Sequence, residues 1–335
     1  MFKNNSRSAY KSILLVSSLL LILLGGTVFL GLAVGSTGYN FVNVFMTLFQ
    51  GELETQYAII WKIRFPRVLL AATTGAILSV GGLVFQALLR NPLAEPYILG
   101  ISGGAGVGAI LGMIMGMAVF PGVAALAFLG GMGTLFLVVF IASGKRLQSE
   151  SSLLLAGVMI NAFCSAIIMF LISLISHTEL QGVLFWLMGD LSGADPAQVL
   201  GLVLIALPVF VFIFIMSRPM NILLMGRETA QSLGVNVKAV TLSLLAVTSL
   251  IVSGSVCLAG LIGFVGLVVP HLLRLLLGAD HRILTPACIL GGASFMVVCD
   301  LLARSLPSQG EMPVGVVTAL IGAPGFIFLL YRSKG

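Results

Sequence analysis

The stretch SRPMNILLMGRETAQSLGV, residues 217–235, sets the organisation of the chain, because very apolar sequence lies on both sides of it. Pro219 suits the first position of a helix, and Gly226 suits the position just after a helix end. Residues 227–233 predict a second short helix, which Gly234 closes. We therefore expect two short helices held between membrane-spanning segments.

The spacing within the second of these helices places Ala230 and Leu233, three residues apart, on one face. A compact polar element between membrane spans can serve as a docking site for a partner protein. It can equally be an ordinary solvated loop, and these residues alone leave both interpretations open.

The composition indicates an integral membrane protein. Of the 335 residues, 59% are hydrophobic and only 8% are charged, whereas a soluble domain carries about 25% charged residues. Forty glycines fit closely packed membrane helices. The formal charge of +6 does not indicate a nucleic-acid-binding protein, because the basic residues fall in short loops. The four cysteines lie in apolar spans and imply no disulfide framework.

A membrane-spanning helix needs about 20 apolar residues, and the sequence predicts about ten of them in one all-α polytopic domain, residues 1–335. The split of the apolar run 239–273 near residues 260–266 leaves a short eighth span. The first apolar run is about twice as long as the apolar part of a signal peptide, which predicts an uncleaved first span. The expected spans are 12–34, 66–89, 97–117, 120–143, 152–175, 197–216, 240–262, 263–278, 283–303 and 313–331.

The distribution of basic residues predicts the orientation. Of the 17 lysines and arginines, only Lys62, Arg64, Arg67 and Arg304 fall on the side opposite to the N-terminus. Basic residues concentrate in cytoplasmic loops. With an even number of spans, both termini are therefore expected to be cytoplasmic.

Small residues and charges suggest how the spans pack. Five glycines recur every fourth residue through the third span and predict a flat stripe for close helix packing. Asp300 lies near the outer end of the ninth span, where Arg304, four residues later, can pair with it. The glycines of the stripe are Gly100, Gly104, Gly108, Gly112 and Gly116.

Several function classes lack their sequence signatures. No GxxxxGK[ST] motif occurs, so the chain is not expected to bind ATP by a P-loop of its own. No ionisable group falls at the centre of a predicted span, which argues against an ion-coupled carrier. His271 alone does not make a metal site and is interpreted as a hydrogen-bonded packing residue. We expect no catalytic residues, no metal and no cofactor, and hence not an enzyme.

Arg64 and Arg67 flank Phe65-Pro66 at the expected outer entrance of the second span. They can anchor lipid headgroups, or they can receive carboxylates of a partner, since guanidinium groups pair with carboxylates in bidentate fashion. Composition alone slightly favours the anchor.

The chain resembles the FecCD family, the permease subunits of ABC importers for iron–siderophore complexes, haem and vitamin B12. The resemblance extends from about residue 60 to the end. The runs that carry it are RFPRVLLA at 64–71, QALLRNPLAEPYILGISGGAGVGA at 86–109, LLLAGV at 153–158, SRPMNILLMGRETAQSLGV at 217–235, GFVGLVVPHLLRLLLGADHR at 263–282 and MPVGVVTALIGAP at 312–324.

This resemblance implies ten spans and a homodimer in the bacterial or archaeal cytoplasmic (inner) membrane. It also implies two ATPase subunits on the cytoplasmic side and an external substrate-binding protein. The loop 217–235 would then contain the coupling helices that dock on the ATPase. The coupling residues that it implies are Arg218, Pro219, Asn221, Gly226, Glu228, Ala230, Leu233 and Gly234.

The same resemblance assigns Arg64, Arg67 and Arg304 to docking of the binding protein. It places the cytoplasmic gate at Glu150 and Ser151, where the family has a Thr-Ser pair. A carboxylate at position 150 departs from that pattern. Two copies near a dimer axis would repel unless they were separated or paired, for example with Lys145 or Arg146.

The sequence therefore predicts the permease subunit of an ABC importer that translocates a metal chelate, with iron–siderophore as first choice and vitamin B12 or haem as the other options. The wall of the pathway is expected to be apolar and to interact weakly with the substrate. The alternatives are a secondary transporter driven by an ion gradient and a membrane scaffold without transport activity.

Overall fold

In a computed structural model, the protein is described over residues 2–34, 59–142, 150–307 and 310–333, and every regular element in those ranges is helical. The α-helices are α1 (Phe2–Ala33), α2 (Phe65–Leu88), α3 (Ile101–Ile114), α4 (Ala124–Ala142), α5 (Glu150–Leu174), α6 (His177–Leu187), α7 (Pro196–Ile215), α8 (Ser217–Leu223), α9 (Arg227–Ser232), α10 (Val237–Ala259), α11 (Val265–Leu277), α12 (His281–Ser305) and α13 (Val314–Ser333).

Three helices are preceded by a short turn of different helical geometry. A π-helical turn, Ile59–Arg64, leads into α2, and a second one, Val119–Val123, leads into α4. A 3₁₀ turn, Pro96–Leu99, leads into α3. Two of these turns contain a proline, which fixes φ and favours a change of chain direction.

Each of the ten expected spans corresponds to a helix, but only seven of the helices in the described residues are long and apolar enough to cross a membrane. The other three, Ile101–Ile114, Val265–Leu277 and Val314–Phe328, are apolar but shorter. The predicted interruption of the run 239–273 is confirmed, since α10 ends at Ala259 and α11 begins at Val265. The count of ten complete crossings and the cytoplasmic termini stay predictions.

Helix α2 forms the centre of the structure. The membrane-spanning part of Ile59–Leu88 is 89% buried inside the chain, whereas that of α1 is only 6% buried. Packed around α2 are α12, α10, α11 and α7. Its side chains Leu70, Ile77, Leu83 and Phe85 are completely enclosed. A helix that is apolar on all sides is therefore stabilised here by protein contacts on all sides.

Glycines allow the closest helix approaches. A Cβ atom on Gly75 of α2 would overlap the carbonyl oxygen of Gly292 in α12, and one on Gly292 would overlap that of Gly75. Gly82 of α2 meets the carbonyl of Gly266 in α11 in the same way. Backbones in these pairs touch directly, as small residues permit in membranes.

The glycine stripe of the third span is confirmed in its middle part. Gly104 and Gly108 of α3 pack on the backbone of α4 at Gly130 and Leu126, and Gly112 lies against Val123. The two end members have another role. Gly100 and Gly116 flank the helix with left-handed φ values of 81° and 66°, which glycine adopts without steric cost.

The segment 260–264 joins α10 to α11 in apolar surroundings without helical structure, so its amide groups need other partners. The amide of Leu261 donates to the Trp186 carbonyl at 3.3 Å. The amide of Ile262 donates to the Tyr97 hydroxyl at 3.2 Å, and that of Phe264 donates to the Glu95 carboxylate. Side chains next to the turn Pro96–Leu99 therefore stabilise the interruption between α10 and α11.

We expect Gly75→Ala to lower the thermal stability of the detergent-purified protein, because the added methyl group forces α2 away from α12. Overpacking of this kind costs about 1–3 kcal/mol. The matched control is Gly201→Ala in α7, where an added Cβ has nothing within 4 Å. That control should leave the melting temperature unchanged or raise it slightly, since alanine favours helix. Equal melting temperatures for the two variants would contradict the packing argument.

Candidate functional site

Two polar sites lie at opposite ends of helix α12. The first, which we call the charge cluster, consists of Arg64, Arg67, Asp300, Arg304 and Glu311. Two of these arginines lie where the π-helical turn joins α2, and the third lies in the last turn of α12. The second site is the loop 217–235, whose helix α8 contacts the first turns of α12.

Asp300 holds the charge cluster together. Its side chain is completely buried, and its Oδ1 accepts a hydrogen bond from Arg67 Nε at 2.9 Å. Arg304 Nε lies 3.0 Å from Asp300 Oδ2 in the ion pair that the sequence predicts within the helix, and donates a long 3.4 Å bond to the Asp300 carbonyl. Arg67 Nη1 also pairs with Glu311 Oε2 at 2.6 Å. A buried carboxylate between two guanidinium groups is the arrangement in which charges tolerate burial.

The arginines also satisfy the end of helix α1. Arg64 Nη1 donates to the carbonyls of Leu32 and Ala33 at 2.7 and 3.2 Å. Arg304 Nη2 donates to the carbonyl of Gly31 at 3.1 Å. The last carbonyls of a helix lack partners within it and carry its negative dipole end. The charge cluster has three arginines and only two carboxylates. Its excess positive charge therefore lies beside the negative dipole end of α1, which stabilises it.

The three predicted docking arginines are thus brought together but are largely covered. Arg64, Arg67 and Arg304 have only 5%, 8% and 7% of their surface exposed. Glu311 is the accessible member of the charge cluster, with 37% of its side chain exposed, and it covers Arg67. The sequence cannot show this arrangement, because Arg67 and Asp300 are 233 residues apart.

The loop 217–235 contains the two predicted helices, α8 and α9. Helix α8 begins at Ser217, directly after α7, so Pro219 is its third residue and not its first. Gly226 and Gly234 follow the two helices with φ values of 113° and 81°, as predicted for glycines at helix ends. These bends fold the loop into a compact element.

The side chains of the loop divide into an anchored set and an exposed set. Ala230 is completely buried, whereas Leu233 is 60% exposed because it follows the last residue of α9. The expectation that Ala230 and Leu233 share one face stays a prediction. Three exposed apolar side chains beside charged ones are typical of an interaction surface. The exposed set consists of the apolar Leu224, Met225 and Leu233, the charged Arg218 and Glu228, and the polar Thr229, Gln231 and Ser232.

Asn221 faces the interior of the protein. Its Nδ2 donates to Asp280 Oδ1 at 2.8 Å, and its Oδ1 accepts from the backbone amide of His281 at 2.9 Å. A carboxylate can only accept and an amide N–H can only donate, so these two contacts fix the orientation of the Asn221 side chain. His281 Nδ1, 2.7 Å from the same Oδ1, must then be the donor.

Asp280 connects this contact to the start of α12. It accepts from the Arg282 amide at 3.0 Å as an N-cap, and it forms an ion pair with the Arg282 guanidinium at 2.6 Å. Burial raises the pKa of Asp280, but the hydrogen bonds from Arg282 and Asn221 outweigh it and lower the pKa to about 2. The ionised network is therefore fully formed at neutral pH and would be lost only as the pH falls from about 4 towards 2.

Glu95 is a half-buried carboxylate that is not among the predicted site residues. Burial raises its pKa, and the donated Phe264 amide opposes that rise. Phe264 has a left-handed φ of 70°, which is rare for a bulky residue. The sequence does distinguish Glu95 from other carboxylates, because it lies between Ala94 and Pro96 immediately before 49 residues without a charge.

The other predicted residues have simpler outcomes. Glu150 and Ser151 begin α5, but their side chains, like Lys145 and Arg146, lie outside the described residues.

His271 packs edge-on against Phe326 with 5.5 Å between ring centroids. Neither ring nitrogen has a hydrogen-bond partner among the described residues, so the expected hydrogen bond is wrong. No group of three His, Cys, Asp or Glu side chains in the described ranges could hold a metal ion.

An apolar cleft of about 440 Å³ lies where α6 and α13 meet the unwound segment 260–264. Its walls are almost entirely hydrocarbon and offer a ligand no convergent polar groups. The lining residues are Leu187, Met188, Leu261, Gly315, Val316, Ala319 and Leu320.

Residues 19–332 match the model of the FecCD transport family. The vitamin B12 import system permease protein of Klebsiella pneumoniae is 44% identical over 277 residues, which are 82% of this chain and 83% of that protein. The Escherichia coli protein of the same name is 42% identical over 286 residues, 85% of this chain and 86% of the relative.

Two solved structures share the fold. An inward-facing structure of a metal-chelate-type ABC transporter superposes with a TM-score of 0.84 at 31% identity, covering 95% of this chain and 99% of that one. The PsaBC complex of Streptococcus pneumoniae gives a TM-score of 0.56 at 15% identity, covering 86% and 95%. The second similarity is one of fold alone.

We expect Asp300→Asn to destabilise the protein strongly, because it removes the buried carboxylate of the charge cluster from between two arginines. Breaking a buried ion pair from one side costs about 3–5 kcal/mol. The measurement is the melting temperature in detergent. It should fall by several degrees.

The control is Glu311→Gln, which removes a carboxylate that is partly solvated. Ion pairs in contact with solvent contribute about 0–1 kcal/mol, so this variant should change the melting temperature by a small fraction of the Asp300→Asn effect. A larger loss for Glu311→Gln would show that Asp300 does not hold the cluster together.

Proposed function

The chain belongs to the FecCD transport family, and on this premise we propose that it is the transmembrane permease subunit of an ABC importer for vitamin B12. It is a multi-pass protein of the cytoplasmic membrane, and its relatives are transport permeases. In the proposal it works as a homodimer with two ATPase subunits and an external binding protein. The chain itself catalyses no covalent reaction.

The observation that carries the substrate assignment is the likeness to permeases named for vitamin B12 import, which extends over more than four fifths of each chain. The first choice from sequence, an iron–siderophore complex, is not supported by these relatives, and vitamin B12 replaces it. The apolar cleft is consistent with a pathway wall that lets a large chelate pass without binding it tightly. Affinity would then lie mainly in the binding protein.

In the proposal, the ATPase docks on the loop 217–235. The exposed side chains of Leu224, Met225 and Leu233 provide apolar contact area, and charged side chains lie beside them. Helices α8 and α9 are joined by a bend at a glycine and are anchored to the core through Met220 and Ala230, both of which are completely buried. An exposed surface on a fixed base can transmit movement of the ATPase to the membrane helices.

The charge cluster is the proposed docking site of the binding protein. It carries three arginines against two carboxylates, so an acidic partner is attracted to it. Glu311 Oε2 lies 2.6 Å from Arg67 Nη1, and the Glu311 side chain is partly exposed. An incoming carboxylate would therefore compete with Glu311 for the Arg67 guanidinium. The gate in this proposal stays at Glu150 and Ser151.

The alternative is a secondary transporter driven by an ion gradient. The half-buried carboxylate Glu95 is the feature that such a carrier could use. However, its partner is the Phe264 amide, and it stabilises the unwound backbone between α10 and α11. A structural role of this kind does not require proton exchange during transport.

Proteoliposomes that contain this chain, its ATPase and its binding protein should accumulate cobalamin only when ATP is available to the ATPase. Proton or sodium gradients without ATP should give no uptake. Ferric siderophore and haem, supplied at the same concentration, should not compete with cobalamin. Uptake driven by an ion gradient alone would establish the alternative, and preferential uptake of either competitor would overturn the assigned substrate.

We expect Met225→Asp and Leu233→Asp to weaken association with the ATPase at least tenfold, because each places a charge in an apolar contact. Binding can be measured by co-purification in detergent at defined concentrations. Gly201→Ala in α7, where an added Cβ has nothing within 4 Å, serves as the control and should leave ATPase binding unchanged. Normal ATPase binding by both aspartate variants would show that the loop is not part of the interface with the ATPase.

A further inference from the structure

We propose that Asn221 is a positioning residue that fastens the loop 217–235 to the start of α12, so that movement of the loop is passed along α12 to the charge cluster. This inference rests on the proposed function, because it assumes that the ATPase acts on the loop and that the binding protein acts on the cluster. It adds a specific connection between these two sites.

The contact between α8 and α12, which we call the joint, has two polar parts that lie one helical turn apart on each helix. Asn221 bonds to His281 and Asp280, and Ser217 Oγ lies 3.1 Å from Thr285 Oγ1. Positions 217 and 221 are one turn apart on α8, and positions 285 and 281 are one turn apart on α12. Polar contacts thus join the two helices at both turns, so one helix cannot move along the other without breaking these bonds.

The burial of the joint makes these contacts costly to break. Ser217, His281 and Thr285 are all completely buried. Separation of the helices would take the partners of Thr285 Oγ1 and of the His281 amide away in an apolar surrounding, which costs more than the loss of a bond in water. The first turn of α12 should therefore follow α8 when the loop moves.

Helix α12 reaches from this joint to the charge cluster. From His281 to Arg304 it spans about 35 Å at 1.5 Å per residue. Pro286 follows the joint directly, and beyond it Gly292 packs α12 onto Gly75 of α2. Arg67 lies in the first turn of α2, so the two packed helices jointly hold the cluster.

At its far end α12 supplies both Asp300 and Arg304. A displacement of this end changes the ion pair with Arg67 and the bond from Arg304 to the end of α1. The contact between Arg67 and Glu311 would change with them. Binding of the ATPase and binding of an acidic partner can therefore influence each other through α12, and such coupling must be reciprocal.

The test measures the affinity of the assembled permease–ATPase complex for its binding protein with and without a non-hydrolysable ATP analogue. In the wild type the ratio of the two Kd values should differ from 1. In Asn221→Ala that ratio should approach 1, while the ATPase remains bound. The control is Asn236→Ala, whose side chain caps α10 by accepting from the Ala239 amide at 3.0 Å and should preserve the ratio.

A double variant that exchanges the amide and the carboxylate between positions 221 and 280 distinguishes loss of the joint from loss of folding. Asn221→Asp alone places two carboxylates against each other and should abolish the nucleotide effect. Combined with Asp280→Asn, it exchanges donor and acceptor, so that the amide at position 280 donates to the carboxylate at position 221, which still accepts from His281. Recovery of the wild-type ratio in the double variant supports the joint, and a double variant no better than the single one contradicts it.

The outcomes distinguish this inference from the function on which it rests. A wild-type chain that binds no ATPase overturns the proposed function and the inference together. A wild-type complex that transports with ATP overturns the inference alone if nucleotide does not alter binding-protein affinity. The inference also fails alone if Asn221→Ala, with its ATPase bound, retains the full wild-type ratio.

Discussion

The structure depends on one constraint, which is that backbone groups without helical partners in an apolar surrounding must find other partners within the protein. A buried amide or carbonyl without a partner costs several kcal/mol in hydrocarbon. The constraint is met at three places where regular helix ends. Arginines cover the carbonyls of α1, Asp280 caps α12, and Glu95 with Tyr97 receives amides of the segment 260–264. Ionisable side chains therefore appear where the backbone leaves the helix.

The same constraint explains why charges that could serve a partner are first used within the chain. Arg304 supports the end of α1 and pairs with Asp300, so it cannot be removed without loss of structure. Arg67 has one buried partner and one accessible partner, Asp300 and Glu311. Only the accessible bond can be exchanged at low cost. At the docking site proposed above, an incoming carboxylate would therefore have to replace Glu311.

The sequence predicts features that depend on neighbouring residues. Periodic glycines, the bends at Gly226 and Gly234 and the pair Asp300–Arg304 are all local in sequence, and each is present in the structure. Each expected apolar span also coincides with a helix, seven of them long enough to cross a membrane, and the break after Ala259 is present. The shortness of three of them does not follow from the sequence, since the apolar composition continues through the loops that end them.

Contacts between distant residues cannot be predicted in this way. A long arginine side chain at a helix end can turn towards lipid, solvent or protein, and nothing near Arg64 or Arg67 in sequence indicates that both turn inward. Asn221 belongs to a predicted docking loop but faces α12, because its partners His281 and Asp280 lie about 60 residues further along. A single sequence gives the chemical character of such residues but not the direction in which they point.

The division between buried and exposed groups bears on how an importer can release its cargo. A pathway that bound a chelate through several polar groups would hold it and would have to break those contacts in every cycle. The cleft beside α6 and α13 has walls of leucine, valine, methionine and small residues, which offer contact area without directional bonds. Two sets of strong polar contacts lie instead at the two ends of α12, where they join helices of this chain to one another. For the importer proposed above, a substrate that makes no differential contacts with two conformations of such a wall cannot itself shift the equilibrium between them, so the shift would have to come from the partner subunits.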